Sequence, residues 1–252
     1  MSPEINNWFQ LVFRWLHVLA GVMWIGHLWF FNFVNAQVVK TYDAESKKKV
    51  VPELMPRALY WFRWGAAWTW VTGVLLLLLV FYHGGQISQW GLATFVMIAV
   101  TFLAFVVYEA VFNSGLGKDL KTGAAVCYGI LVVIILGYTY WAGWDYRAYV
   151  IHTGALFGTI MAANVWMRIW PAQRKIITAT RDGQAPDAAL VAMAGARSRH
   201  NTYMSVPLVW AMINSHTTVP FAQSPVYLMV MILVGWGVVN WIYTKAGTVK
   251  GF

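Results

Sequence analysis

The feature that most constrains this chain is a recurrence of apolar runs about as long as a lipid bilayer is thick. A helix needs roughly 20 mainly apolar residues to cross one. Seven stretches meet that need, at about 8–36, 58–82, 89–112, 122–143, 147–170, 201–217 and 224–244. The run at 201–217, "NTYMSVPLVWAMINSHT", is short, polar and interrupted by Pro207. Such a segment is tolerated where it faces protein instead of lipid. Only 11% of the residues are charged, against about 25% in soluble domains. The expectation is an all-α integral membrane bundle of about seven transmembrane helices, forming one domain over 1–252.

Charge sets an expected orientation. Lys40, Lys47, Lys48, Lys49 and Arg57 fall in the 37–57 connection, and Lys118 and Lys121 in 113–121. Arg174, Lys175, Arg181, Arg197 and Arg199 fall in 171–199, and Lys245 and Lys250 in the tail. The intervening connections 1–7, 83–88, 144–146 and 218–223 have no Lys or Arg. By the positive-inside rule the N-terminus is periplasmic and the C-terminus cytoplasmic, in a multi-pass protein of the bacterial inner membrane. The net charge of +9 then belongs to cytoplasmic loops and not to a nucleic-acid surface. The 171–199 loop reads as two short helices, one closed by Gly183 and the other starting near Asp187. The start "MSPEINNWFQ" lacks a basic n-region and a small-residue cleavage site, so the first span is expected to be retained.

A single cysteine, Cys127, excludes an internal disulfide, a thiolate metal cluster and the C-x-x-C-H attachment of c-type haem. The ionisable residues inside the spans are the functional candidates, because such groups are costly in hydrocarbon. There are six histidines. With the orientation above, His17, His152 and His216 fall in the outer half, with His83 at a span end, while His27 and His200 fall toward the cytoplasm. His27 is ten residues beyond His17, roughly 15 Å deeper and about 80° around the helix. Histidines on different helices at matched depth are what axial haem ligation needs. The outer set predicts one b-type haem, the inner pair a second, and His17, His152 and His216 are the metal-ligand candidates. Arg14 shares a face with His17 and suits a propionate. Gly21, one turn on, and Gly154 and Gly158 beyond His152 leave room for close approach. Arg63 and Glu109 share a depth and are expected to form an ion pair, with Asn164 and Arg168 nearby.

The stretch "YVIHTGALFGTIMAANVWMRIWPAQRKIITATRDGQAPDAALVAMAGARSRHNTYMSVPLVWAMINSH" (149–216) resembles the membrane domain of bacterial cytochrome-linked urate oxidases. "RWLHVLAGVMWIG" (14–26) and "MPRALYWFRWGAAWTWVTGVLLL" (55–77) are similar to that domain's first two spans. The resemblance implies oxidation of urate to 5-hydroxyisourate with electrons passed to the respiratory chain. It points to His17, His152, His200 and His216, with Asn164, Asn201 and Asn214 beside them; His27 is outside the pattern. Family members also carry a cytochrome c domain, for which this chain has no C-x-x-C-H motif. A separate cytochrome c is therefore the expected electron acceptor, with urate or a similar small molecule as reductant. The alternative is a non-catalytic electron-transfer or structural subunit of a larger respiratory or photosynthetic membrane complex. A transporter is disfavoured by the lack of inverted repeats.

Overall fold

A computed structural model of the chain describes residues 2–117 and 119–251. Lys118, one of the basic loop residues, lies outside them. The described residues are helical with turns between, and contain no strand. The long α-helices are α1 (Pro3–Trp29), α2 (Ala44–Leu76), α3 (Leu92–Asn113), α4 (Leu120–Leu136), α5 (Tyr146–Asn164), α6 (Trp170–Arg181), α7 (Ala188–Asn214) and α8 (Pro225–Ala246). Four π-helical segments, Phe30–Asn35, Leu77–Tyr82, Gly137–Trp141 and Val165–Ile169, extend α1, α2, α4 and α5 without a break. The chain is an all-α, multi-pass membrane protein.

Six described helices are long and apolar enough to cross a bilayer: Pro3–Thr41, Ala44–Tyr82, Leu92–Asn113, Leu120–Trp141, Tyr146–Arg181 and Pro225–Ala246. The stretch expected as another span, 201–217, falls mostly in the second half of α7, which is not among these six. That helix is long enough but carries Arg197, Asn201, Thr202 and Ser205, all buried against protein. Its polar side is therefore spent on internal partners. Pro207 sits inside the helix and does not end it.

The basic connections are also more helical than their charge suggests. α2 begins at Ala44, where Asp43 accepts from Ser46 N at 2.7 Å, and runs through Pro52 and Pro56. Ion pairs one turn apart, Lys49–Glu45 (2.7 Å) and Arg57–Glu53, lace its exposed start. The first of the two expected loop helices is α6, continuous with the fifth span. Pro171 has no N–H to give and crowds the preceding turn. The wider turn at Val165–Ile169, closed by Trp170 N–H to Val165 O, makes room for it.

The backbone forms two compact units, one of residues 1–76, 161–206 and 236–252, the other of 77–160 and 207–235. In the first, α1 buries Ala20, Trp24 and Leu28 at four-residue intervals against α2. Gly65 is the contact point: a Cβ there would lie 3.1 Å from Trp24 N and 3.3 Å from Ala20 O. The π segment of α1 is tied to α7 and α8 by polar bonds. Asn32 Nδ2 donates to Ser198 Oγ (2.9 Å), Trp29 Nε1 to Ser205 Oγ (2.9 Å), and Tyr243 Oη to Asn32 Oδ1 (2.9 Å).

In the second unit, α3, α4 and the start of α5 surround a core that includes Met97, Ile135, Tyr138 and Val150. Asp119 caps α4, accepting from Thr122 N at 2.8 Å. Gly154 and Gly158 receive side chains of α7: added Cβ atoms would lie 2.7 Å from Met212 Cε and 3.6 Å from Leu208 Cδ1. The space these glycines leave is filled by a neighbouring helix.

Gly65→Leu should force α1 and α2 apart and destabilise the protein by about 1–3 kcal/mol. Gly129→Leu, with nothing within 4 Å of its Cβ position, should leave thermal unfolding in detergent unchanged. Equal melting temperatures for the two variants would contradict this packing.

Candidate functional site

In the first unit, His17 projects from α1 toward α2, where its Nδ1 lies 3.1 Å from Thr72 Oγ1. The Thr72 hydroxyl hydrogen is spent on Trp68 O at 2.6 Å. Its oxygen can then only accept, so Nδ1 carries the imidazole proton and Nε2 keeps its lone pair. Gly73 lets the ring lie flat against α2: a Cβ there would be 3.0 Å from His17 Cε1. This is how metal-binding histidines are oriented, with one nitrogen anchored and the other bare. Arg14 is exposed and donates to Gln10 Oε1 at 3.1 Å. Gly21 faces α2, its Cβ position 3.8 Å from Thr69 Cγ2.

His152 is the centre of the second unit, fully buried. Its Nδ1 is 2.7 Å from Ala148 O, a carbonyl that can only accept, so Nδ1 is again protonated. Its Nε2 accepts the Tyr82 hydroxyl at 2.9 Å. Four rings enclose it, with centroids at 4.3 Å (Trp144), 5.7 Å (Tyr82), 5.9 Å (Phe81) and 6.1 Å (Tyr138). Tyr138 stacks on Trp144 at 4.8 Å. Thr101 gives its hydrogen to Met97 O at 2.9 Å, so the Tyr138 hydroxyl donates to Thr101 Oγ1 at 2.7 Å.

Two π segments build this aromatic box. Phe81 and Tyr82 end the segment 77–82, and Tyr138 lies in 137–141. Gly143, with φ 65°, ends the latter. The reversal lets Trp144 N–H bond to Tyr138 O (2.9 Å) and turns the indole onto His152. Short π insertions inside helices are frequent at functional sites, because one extra residue re-aims the side chains that follow.

The remaining histidines differ. His27 Nδ1 lies 2.7 Å from Met23 O, the same anchoring again, on a half-buried ring. His200 is half-buried on α7, between Arg199 and the buried Asn201. His216 is exposed in the turn that follows α7, and His83 is exposed where the 77–82 segment ends. Among the described residues no three His, Cys, Asp or Glu side chains gather to hold a bare metal ion.

A family model described as urate oxidase N-terminal matches residues 3–50 and 41–247. The chain belongs to the urate oxidase N-terminal family. No curated protein and no solved structure matches it.

In this family member, the asparagines the resemblance pointed to are structural ties. Asn164 Nδ2 donates to Asn201 Oδ1 and Asn201 Nδ2 to Met161 O, both at 2.9 Å, which binds the 161–169 stretch to α7. Asn214 Nδ2 donates to Trp210 O (3.1 Å), and its own carbonyl accepts from Tyr146 Oη (2.8 Å). Arg63 and Glu109, expected as an ion pair, fall in different compact units, and each has partners within its own. The Arg63 guanidinium lies on the Trp170 ring, with Cζ 3.9 Å from the centroid. The Glu109 carboxylate accepts from Asn113 Nδ2 at 2.9 Å.

Sequence reasoning singled out His17 and His152 but not the groups that orient them, Thr72, Tyr82, Tyr138 and Trp144. The local signals were the Thr-Gly pair in "VTGV" and the Tyr beside His83 in "FYHGG".

The residues fit an axial haem ligand unequally. His17 offers a bare, half-buried Nε2. His152 offers the same donor with the Tyr82 hydroxyl on it. Tyr82→Phe should leave the buried Nε2 without its donor and lower stability by about 1–3 kcal/mol. Gly143→Ala, which forces a side chain into left-handed backbone, should cost about 1–2 kcal/mol. Thermal unfolding in detergent measures both, and wild-type melting of either variant would count against the box as described.

Proposed function

We propose that this chain is a b-type haem-binding redox protein of the bacterial inner membrane. On this reading it oxidises urate or a similar small reductant and hands the electrons to a separate cytochrome c. The observation that carries the reading is the shared state of His17 and His152. Each has Nδ1–H anchored to an oxygen that cannot donate back, so each presents Nε2 as the ligating atom. Membership of the urate oxidase N-terminal family supports the choice of reductant.

Haem, when bound, supplies a one-electron carrier whose potential depends on its axial ligands and their surroundings. His17 is the first ligand on this reading, held in place by Thr72 and given room by Gly73. Arg14, which donates to the neutral Gln10, supplies the cation for a propionate. His152, in the second unit, is a separate candidate, and its Nε2 accepts the Tyr82 hydroxyl. His216, His200 and His27 belong to the proposal as further candidates, the last two for a second haem. Conversion of urate to 5-hydroxyisourate takes oxygen from water and releases two electrons and two protons. In the second unit the Tyr82 hydroxyl donates to His152 Nε2, so a phenol and an imidazole stand in hydrogen-bond contact there.

The purified protein should give a reduced-minus-oxidised spectrum of b-type haem, with content measured as the pyridine haemochrome. His17→Ala should lower that content; absence of haem from the wild-type protein, or full occupancy in His17→Ala, would overturn the ligand assignment. Under anaerobic conditions urate should reduce the bound haem. Haem that urate leaves oxidised would favour the electron-transfer or structural subunit over the enzyme.

A further inference from the structure

The first unit holds a second place where charge lacks a counterpart. Arg63 lies six residues beyond Arg57 on α2, about 9 Å along the helix axis toward its apolar part. Its guanidinium carbon is 3.9 Å from the Trp170 centroid, 5.6 Å from Tyr60 and 6.0 Å from Trp166. The Nε atom is buried with no acceptor, and among the described residues no carboxylate is recorded paired with the side chain. Trp166 Nε1 donates to the Arg63 carbonyl at 3.1 Å and fixes the backbone there.

Arg174, one turn along α6, brings a second guanidinium to within 5.9 Å of the same indole. Two like charges sharing one aromatic ring repel, and ring faces satisfy a cation only in part. An anion with several acceptor oxygens would complete both, since guanidinium forks match phosphate well.

The surroundings indicate the carrier of that anion. Tyr60 and Trp64 are 47% and 39% exposed and point away from the helix core. Amphipathic rings of this kind sit at the headgroup level of a bilayer. They lie where the basic start of α2 gives way to its apolar run. Basic pockets between helices at that level take lipid headgroups.

We propose that Arg63 and Arg174, on either side of Trp170, bind the phosphate of an anionic phospholipid. The lipid's acyl chains lie along the exposed aromatic side of α2. The site is independent of the haem proposal, since it uses neither His17 nor His152.

Native mass spectrometry of the detergent-purified protein tests this, with dioleoyl phosphatidylglycerol or dioleoyl phosphatidylcholine added. Wild-type protein should retain the anionic lipid preferentially. Arg63→Gln and Arg174→Gln should each weaken that retention about fivefold, while Lys250→Gln in the tail leaves it unchanged. Arg174 is exposed, so its variant remains informative if Arg63→Gln does not fold. Equal retention of the two lipids, or undiminished retention of phosphatidylglycerol by Arg174→Gln, would overturn the proposal. Displacement of the lipid by millimolar inorganic phosphate would show a site for free anions and overturn the lipid assignment.

Discussion

Inside hydrocarbon every backbone N–H and C=O must find its partner within the protein. A membrane helix therefore has little freedom beyond the number of residues in each turn. This chain uses that freedom four times, switching from α to π geometry at 30–35, 77–82, 137–141 and 165–169. Each switch coincides with something a regular helix does not supply. At 30–35 Asn32 reaches Ser198 and Tyr243; at 165–169 room is made for Pro171. At 77–82 and 137–141 aromatic side chains are aimed at His152. Backbone bonding is kept throughout, and side-chain direction is what changes.

The same economy governs the histidines. A neutral imidazole has one proton and two nitrogens, and its surroundings decide which nitrogen keeps the proton. His27 and His152 give theirs to the carbonyl four residues back, and His17 gives its own to a threonine whose hydrogen is already committed. All three rings thus present the same atom, Nε2. What differs is what meets it: a tyrosine hydroxyl at His152 and, among the described residues, no hydrogen-bond partner at His17. This is a choice of tautomer made by backbone and second-row side chains, and it precedes any cofactor.

Much of this was legible in the sequence. Hydropathy located the apolar part of every candidate span, because burial in lipid demands a contiguous apolar run. It misjudged where helices begin and end, because hydropathy senses only lipid. The start of α2, with its Glu-Lys and Glu-Arg pairs, is helical for reasons of local charge. α7 is too polar to stand out by hydropathy, because it carries Asn201, which donates to Met161 O, and hydroxyls that bond back to its own carbonyls. Depth grouped His17, His152 and His216, of which the first is half-buried, the second buried and the third exposed, and the partners of His17 and His152 were invisible to it. Tyr82 is 70 residues from His152 and Thr72 is 55 from His17.

The proposed function requires that His17 and His152 are held in one tautomer, with the lone pair on Nε2. The direct measurement is nitrogen NMR of the purified, reduced protein carrying ¹⁵N-labelled histidine, with signals assigned by single substitutions. The account predicts a protonated Nδ1 and an unprotonated Nε2 for both His17 and His152. A proton on Nε2 of either ring would contradict it.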